Sequence, residues 1–530
     1  MAINTYNLFS GCNETIEHDK KTGSYKKCYC FSDHKHRRIQ REKHQQKRYI
    51  SIENKDISFQ QSRCIKLREN TMETKDFTTY MKQFNECLQK YFPSKEAWTP
   101  ADDALYKPDD LFRIPLKEGY EMQLKSIKHT FTYQYTNNKV YQNFCKERNF
   151  SPTDIHTLDD LEKIPLIPDS FFKDYPTGRD FAIWLGNIFT GTLPRIVITQ
   201  KNPTYDEVIN AFNQTGMTVA YSSGTSGRFT FIPRDQRTFN ISEYAAAKSV
   251  MNMVYPLWEP QMYGYLLMPN PKKTNVYAGK VCTIYFDAIK DVQVAIDRDI
   301  TTELIQMTMT GQKGIKSNFV KYVAKRESDK MIDRIIHWLE YHEKTKEKIA
   351  LVGAPFILSF VMKKLEKEGQ SFDFGERGGI ATGGGWKAYE GVRVAVSDFR
   401  KQVEKVLGIP EKYCLDIYGM VEGNGWLVHC PEGHYLHSPY SYYKSLVLDD
   451  EYKPIGYGEW GRYAFLDAAA FSYPGFLMSG DKVRMLENCP VCDRPGPVLE
   501  PEIKRATGEE IRGCAEEVRR MLSVDLGKET

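Results

Sequence analysis

The stretch Tyr221-Ser222-Ser223-Gly224-Thr225-Ser226-Gly227, followed by Arg228 and an apolar run, decides how this chain is read. Gly224 and Gly227 let backbone N–H groups approach phosphate oxygens closely, while Ser222, Ser223, Thr225 and Ser226 add neutral hydroxyl donors that follow a moving phosphate. The loop is a candidate clamp for the phosphates of a nucleoside triphosphate. It is not a Walker A loop, because it lacks the Gly-Lys-Ser/Thr end that anchors the β and γ phosphates and magnesium. A solvated Ser/Gly turn is the competing reading of the same residues.

Outward from this loop the pattern alternates. Glu243 to Val254 has the spacing of a helix, and strand-like runs recur at 263–268, 276–286 and 349–352 between helical stretches at 299–309, 329–344 and 356–368. A further strand at 379–382, a glycine loop, a helix from about 388 to 407 and a strand at 414–418 repeat the theme. This alternation predicts an α/β fold with a mostly parallel sheet, whose ligands bind at the carboxyl ends of the strands. Upstream, helical spacing runs through 80–92 and 119–149, and 156–168 reads as a short helix leading into Pro-bounded extended chain.

At 530 residues, 41% hydrophobic and 27% charged, the chain has the composition of a soluble protein of two or three domains. Its long apolar run from Ile349 to Met362 is broken by Gly353 and Pro355 and is too short to span a membrane. No signal-peptide pattern opens the sequence, so a cytoplasmic location is expected and most of the 12 cysteines are read as free thiols. Residues 1–71 hold 15 Lys/Arg against 8 Asp/Glu, a net +7 within a chain total of +4, so the remainder is mildly acidic at −3. That basic leader, with its run His34-Lys35-His36-Arg37-Arg38, is expected to be disordered and to bind no nucleic acid.

Three further loops carry chemistry. Thr382-Gly383-Gly384-Gly385-Trp386-Lys387 follows a predicted strand, so its glycines admit a flat or anionic ligand while Trp386 and Lys387 offer stacking and charge. Tyr418-Gly419-Met420-Val421-Glu422 combines an aromatic face with a carboxylate, suited to adenine and magnesium. Ser479-Gly480-Asp481 places a carboxylate where it can grip a ribose diol. Ordinary turns are the competing reading of the last two.

Taken in order, these motifs resemble the adenylate-forming superfamily. With Ile164 to Phe172, Ile380 to Lys387, Asp467 to Gly475 and Lys504-Arg505 leading to Arg512-Gly513-Cys514-Ala515, the resemblance narrows to LuxE-type acyl-protein synthetases and covers roughly residues 120–520. It implies an adenylate-forming α/β fold with a shortened C-terminal domain, in which a carboxylic acid, expected to be a fatty acid, reacts with ATP and Mg2+ to give acyl-AMP. The Ser/Gly loop then handles pyrophosphate, Tyr418 and Gly419 contact adenine, Glu422 holds magnesium and Asp481 binds ribose. Cys514 matches the family's acyl-accepting thiol, which passes the acyl group to an acyl reductase or acyl-carrier partner. The implied organisation is a leader at 1–71, a helical part at 72–200, an adenylate-forming core at 201–481 and a short C-terminal segment at 482–530.

Two departures accompany the resemblance. With only 49 residues after Asp481, no lysine of a mobile C-terminal domain can be assigned, and Lys387 or Lys504 is proposed on charge alone as the cation facing the α phosphate. Cys430-Pro-Glu-Gly-His434-Tyr-Leu-His437 and Cys489-Pro-Val-Cys492 suit a structural zinc held by three thiolates and one imidazole, His437 fitting the pattern of related ligases better than His434. Free thiols in turns are the alternative. Two other functions remain open: a ligase that uses free coenzyme A, and a catalytically silent subunit of an acyl-reductase complex.

Overall fold

The computed structural model describes residues 14–18, 25–29, 76–222, 228–309, 315–385 and 393–505, which fall into two units, 1–72 and 73–530. In the first, where disorder was expected, Glu14–His18 and Tyr25–Tyr29 pair as an antiparallel hairpin.

In the second unit, five strands run parallel in the order Cys414–Tyr418, Gly378–Gly383, Ile349–Gly353, Tyr263–Pro269 and Asp291–Ile296. Beyond Cys414–Tyr418 the same sheet turns antiparallel through Leu427–His429, Leu436–His437, Val498–Leu499, Phe476–Leu486, Trp460–Asp467 and Tyr443–Leu448. This is the expected α/β architecture, with the parallel half made by strand–helix alternation and the other half by short hairpins. A separate hairpin, Thr218–Tyr221 with Phe231–Arg234, brackets the Ser/Gly loop.

Local chemistry sets the helix ends. Asp235 accepts from the Thr238 N–H at 2.7 Å and starts the buried helix Gln236–Met253, while Thr204 and Glu207 form a reciprocal capping box on Tyr205–Asn213. Pro355 opens Pro355–Glu368, and Gly369 and Gly408, both at φ 66°, close that helix and Val396–Leu407. Upstream, Asn138 divides the 119–149 helical stretch by capping Lys139–Glu147 through the Tyr141 N–H.

One expectation is corrected. Residues 276–286, read as a strand for their Val, Thr and Ile content, form helical turns at Tyr277–Lys280, Val281–Ile284 and Tyr285–Ala288. Their buried positions Tyr277, Val281 and Tyr285 recur every four residues, and packing on the Gln236–Met253 helix overrides β propensity. The strand of this region is Asp291–Ile296 instead. Downstream, Leu427–His429 and Leu436–His437 form a tight hairpin. The helix expected from 388 begins at Val396 among the described residues. No described helix is long and apolar enough to cross a membrane.

Candidate active site and metal centre

The site grows from the carboxyl ends of two adjacent parallel strands. Thr382 pairs with Asp416 and Gly383 with Ile417, so the chain leaves the sheet side by side at Gly384 and at Tyr418-Gly419. Gly384 and Gly385 sit at φ 77° and 67°, a left-handed backbone that a side chain would strain. Beneath them the Thr382 hydroxyl donates to Asp416 at 2.8 Å, and burial pushes the Asp416 carboxyl up to about 6.

Tyr418 reaches across to the antiparallel half, where its hydroxyl donates to Asp481 Oδ2 at 2.7 Å. Arg505, paired with Asp481 across the strands, holds Oδ1 at 2.8 Å, and the Asp481 N–H donates to Ser479 Oγ at 3.1 Å. Each carboxylate oxygen keeps a second lone-pair direction for a ligand hydroxyl. Lys504 instead lies over the Trp460 ring at 4.0 Å, on the strand face opposite Arg505, away from this carboxylate.

Glu422 is buried, and that burial pushes its carboxyl up, with Asp169 adding to the shift and Lys173 and the Thr230 hydroxyl opposing it. Thr230 also connects Glu422 to the Ser/Gly loop. The Ser222 N–H donates to the Thr230 carbonyl at 3.0 Å and the Thr230 N–H donates to Ser222 Oγ at 2.9 Å. The Ser222 oxygen therefore closes the base of the loop, while its proton remains available to a ligand.

Lys173 and Asp169 are site residues that the sequence reading passed over. They form an ion pair at 2.5 Å on the turn Asp169–Lys173, which follows the strand Ile167–Pro168. That strand joins the sheet parallel to Phe476–Leu486, carrying the pair to Gly480 and Asp481. A Cβ on Gly480 would lie 3.0 Å from Asp169 Oδ2, so a side chain there would push that carboxylate back by a few tenths of an ångström. An Asp-Lys pair at i,i+4 directly after Pro168 was the available signal.

Arg234 was also unforeseen. It is fully buried and donates from Nη2 to the Val421 carbonyl at 2.6 Å and the Tyr473 hydroxyl at 2.9 Å, and from Nε to Asn424 Oδ1 at 3.1 Å. Its guanidinium lies 4.7 and 5.0 Å from the ring centres of Tyr277 and Tyr473. Asp467 completes the hub by accepting the Asn424 N–H at 2.6 Å, and burial pushes its carboxyl up to about 6. The loop that presents Glu422 is thus clamped from below. Ser223, Gly224, Thr225, Ser226, Gly227, Trp386, Lys387 and Cys514 lie outside the described residues.

A second cluster sits behind the antiparallel half. Cys430 and His437 are held by the hairpin, and Val498–Leu499, which pairs with both Leu436–His437 and Phe476–Leu486, draws in the loop bearing Cys489 and Cys492. The four ligand atoms lie within 4.8 Å of one another, with Cys492 Sγ 3.4 Å from His437 Nε2. Tetrahedral zinc with bonds of about 2.3 Å to sulfur and 2.0–2.1 Å to nitrogen separates its ligands by roughly 3.4–3.8 Å, so three thiols and one imidazole fit with little movement. His434 is outside the cluster, bonded to the Arg400 side chain, and an Arg494–Glu432 ion pair at 2.7 Å clips the two loops together.

The fold that carries this site is that of adenylate-forming ligases. It superposes on 2-hydroxyisobutyryl-CoA ligase in its postadenylation state with TM-score 0.51 and 13% identity, covering 79% of this chain and 74% of that one. Against the thioesterification state of the same ligase the values are 0.50, 15%, 78% and 73%. The sequence model of the acyl-protein synthetase family LuxE matches residues 290–523 of this chain. The chain is 24% identical to the long-chain-fatty-acid–luciferin-component ligase of Aliivibrio fischeri over 405 residues, 75% of this chain and 88% of that protein. The Vibrio harveyi protein of the same name is 24% identical over 404 residues, covering 76% and 88%.

Proposed function

We propose that this protein activates a long-chain carboxylic acid with ATP, forming acyl-AMP and then an acyl thioester on Cys514 for delivery to a partner protein such as an acyl reductase. The observation that carries the reading is the convergence of Ser222, Glu422, Lys173, Asp169, Asp481 and Tyr418 through Thr230 and Gly480. The names of the matched relatives support the acid class.

In the first step a carboxylate oxygen of the substrate attacks the α phosphorus, the bond to the β-phosphate oxygen breaks and pyrophosphate leaves. Asp481 and Tyr418 would fix the ribose and adenine end, and Glu422 would hold magnesium, which would offset phosphate charge when bound. Lys173, carried on the turn beside Gly480, is the cation we assign to the charge developing on the phosphate, the role that Lys387 and Lys504 were offered on charge alone. In the second step the Cys514 thiolate attacks the acyl carbon and AMP departs, a displacement made easy by the mixed anhydride. The zinc site ties the hairpin to the strand bearing Asp481 and takes no part in the chemistry.

Acid-dependent ATP–pyrophosphate exchange tests the first step. Glu422→Gln and Lys173→Met are each expected to lower exchange about 10²–10³-fold while the protein stays folded. Undiminished exchange in both removes the proposed site. Cys514→Ser is expected to retain exchange and lose hydroxylamine-sensitive acyl labelling. Persistent labelling removes Cys514, and rapid formation of a soluble thioester on adding coenzyme A replaces the protein acceptor with a free thiol.

A further inference from the structure

We propose that a second cavity binds a short carboxylate carrying a hydroxyl group, with the carboxylate on Lys280 and the hydroxyl on Glu243. The cavity, about 390 Å³, lies between the segment at Lys90-Tyr91, the helix Gln236–Met253 and the turns at 277–288. By the share of volume that each water takes in the liquid it has room for about a dozen waters, hence a molecule of several carbons.

Its lining sorts by charge. Lys90 is neutralised by Asp287 at 2.7 Å, and that carboxylate also accepts the Tyr91 hydroxyl at 2.7 Å. Lys280 has no hydrogen bond or ion pair within contact distance among the described residues, and burial works against its charge. Glu243, 3% exposed, has Oε1 buried without a hydrogen-bond partner. Burial pushes its carboxyl up, with Asp287 adding to the shift and Lys280 and Lys90 opposing it. A buried carboxyl oxygen without a hydrogen-bond partner, in one cavity with a lysine that makes no direct contact, is costly unless something bridges them. Gln236, Asn240, Thr218 and Thr283 add hydrogen-bonding groups to a lining that also includes Phe239.

The cavity lies away from Ser222. Thr218 begins the strand that ends at Tyr221, and an extended rise of about 3.3 Å per residue puts it roughly 13 Å from Ser222. The same helix starts two residues after Arg234, so an occupant bears on the clamp beneath Glu422.

Calorimetric titration of the full chain, without ATP, with 4-hydroxybutyrate, butyrate and 1,4-butanediol tests the proposal. One site is expected, preferring 4-hydroxybutyrate. Lys280→Met should weaken both acids about tenfold or more, and Glu243→Met should erase the preference for the hydroxylated acid. Lys280→Met deletes a desolvated unpaired charge, so its thermal unfolding is expected at or above that of the wild type, keeping the readout interpretable. No binding at millimolar concentration, equal affinity in Lys280→Met, or complete displacement by ATP with magnesium overturns the site. None of these outcomes depends on whether acyl-AMP forms.

Discussion

Arg234→Met is expected to destabilise the folded protein by about 3–5 kcal/mol, the range for breaking one side of a buried charged network. Methionine replaces the aliphatic stem but supplies no donors. The Val421 carbonyl, Asn424 Oδ1 and the Tyr473 hydroxyl each lose a partner in a region with almost no solvent. Each such unsatisfied group costs about 1–3 kcal/mol, partly relieved by local relaxation. Asp467 also loses the cation that opposes its burial, and it shifts further toward the neutral acid. Arg234→Lys keeps the charge but not the fork that serves three acceptors at once, so rescue should be partial. Urea unfolding gives the loss of stability as a fall in midpoint, and exchange activity should fall with it because Glu422 sits on the released loop. An unchanged midpoint in Arg234→Met would show that the loop does not rely on this clamp.

Removing the metal is expected to have the second large effect. Purified protein should carry one zinc per chain, and a strong chelator should lower the unfolding temperature and loosen the hairpin before the parallel half. Cys489→Ser should do the same without a chelator. Closed sites with thiolate ligands contribute directly to folding, and zinc-finger peptides gain about 10–16 kcal/mol apparent at neutral pH. The gain here should be a fraction of that, since Cys430 and His437 are already ordered by sheet pairing and the Arg494–Glu432 pair holds the loops without metal. Because Phe476–Leu486 shares Val498–Leu499 with the hairpin, affinity for ATP should weaken as Asp481 loses support. Absence of zinc in metal analysis, or a chelator without effect on unfolding, would leave the cluster as four free side chains.

Much of the fold was legible because its signals are local. Periodicity marked the alternating strands and helices, and Asp235, Thr204, Pro355 and Gly408 are end signals that act within one turn of the residues they cap. Where local preference and packing disagreed, at 276–286, packing prevailed, because the four-residue spacing of Tyr277, Val281 and Tyr285 puts all three on one buried helical face.

By itself, the sequence determined the α/β class and the loops that follow strands, since strand and helix periods and turn chemistry are written in neighbouring residues. It also offered Cys430, His437, Cys489 and Cys492 as a candidate zinc set, with His437 chosen over His434 by resemblance to related ligases, and their ligand atoms lie within 4.8 Å of one another. Tertiary structure alone decided that Lys173 and Asp169 stand beside Gly480, that Arg234 carries the Glu422 loop, and that Glu243 and Lys280 share a cavity. These pairs are dozens to hundreds of residues apart, and only the packing of strands and helices in the folded chain brings them near one another, a fact that no window of sequence contains.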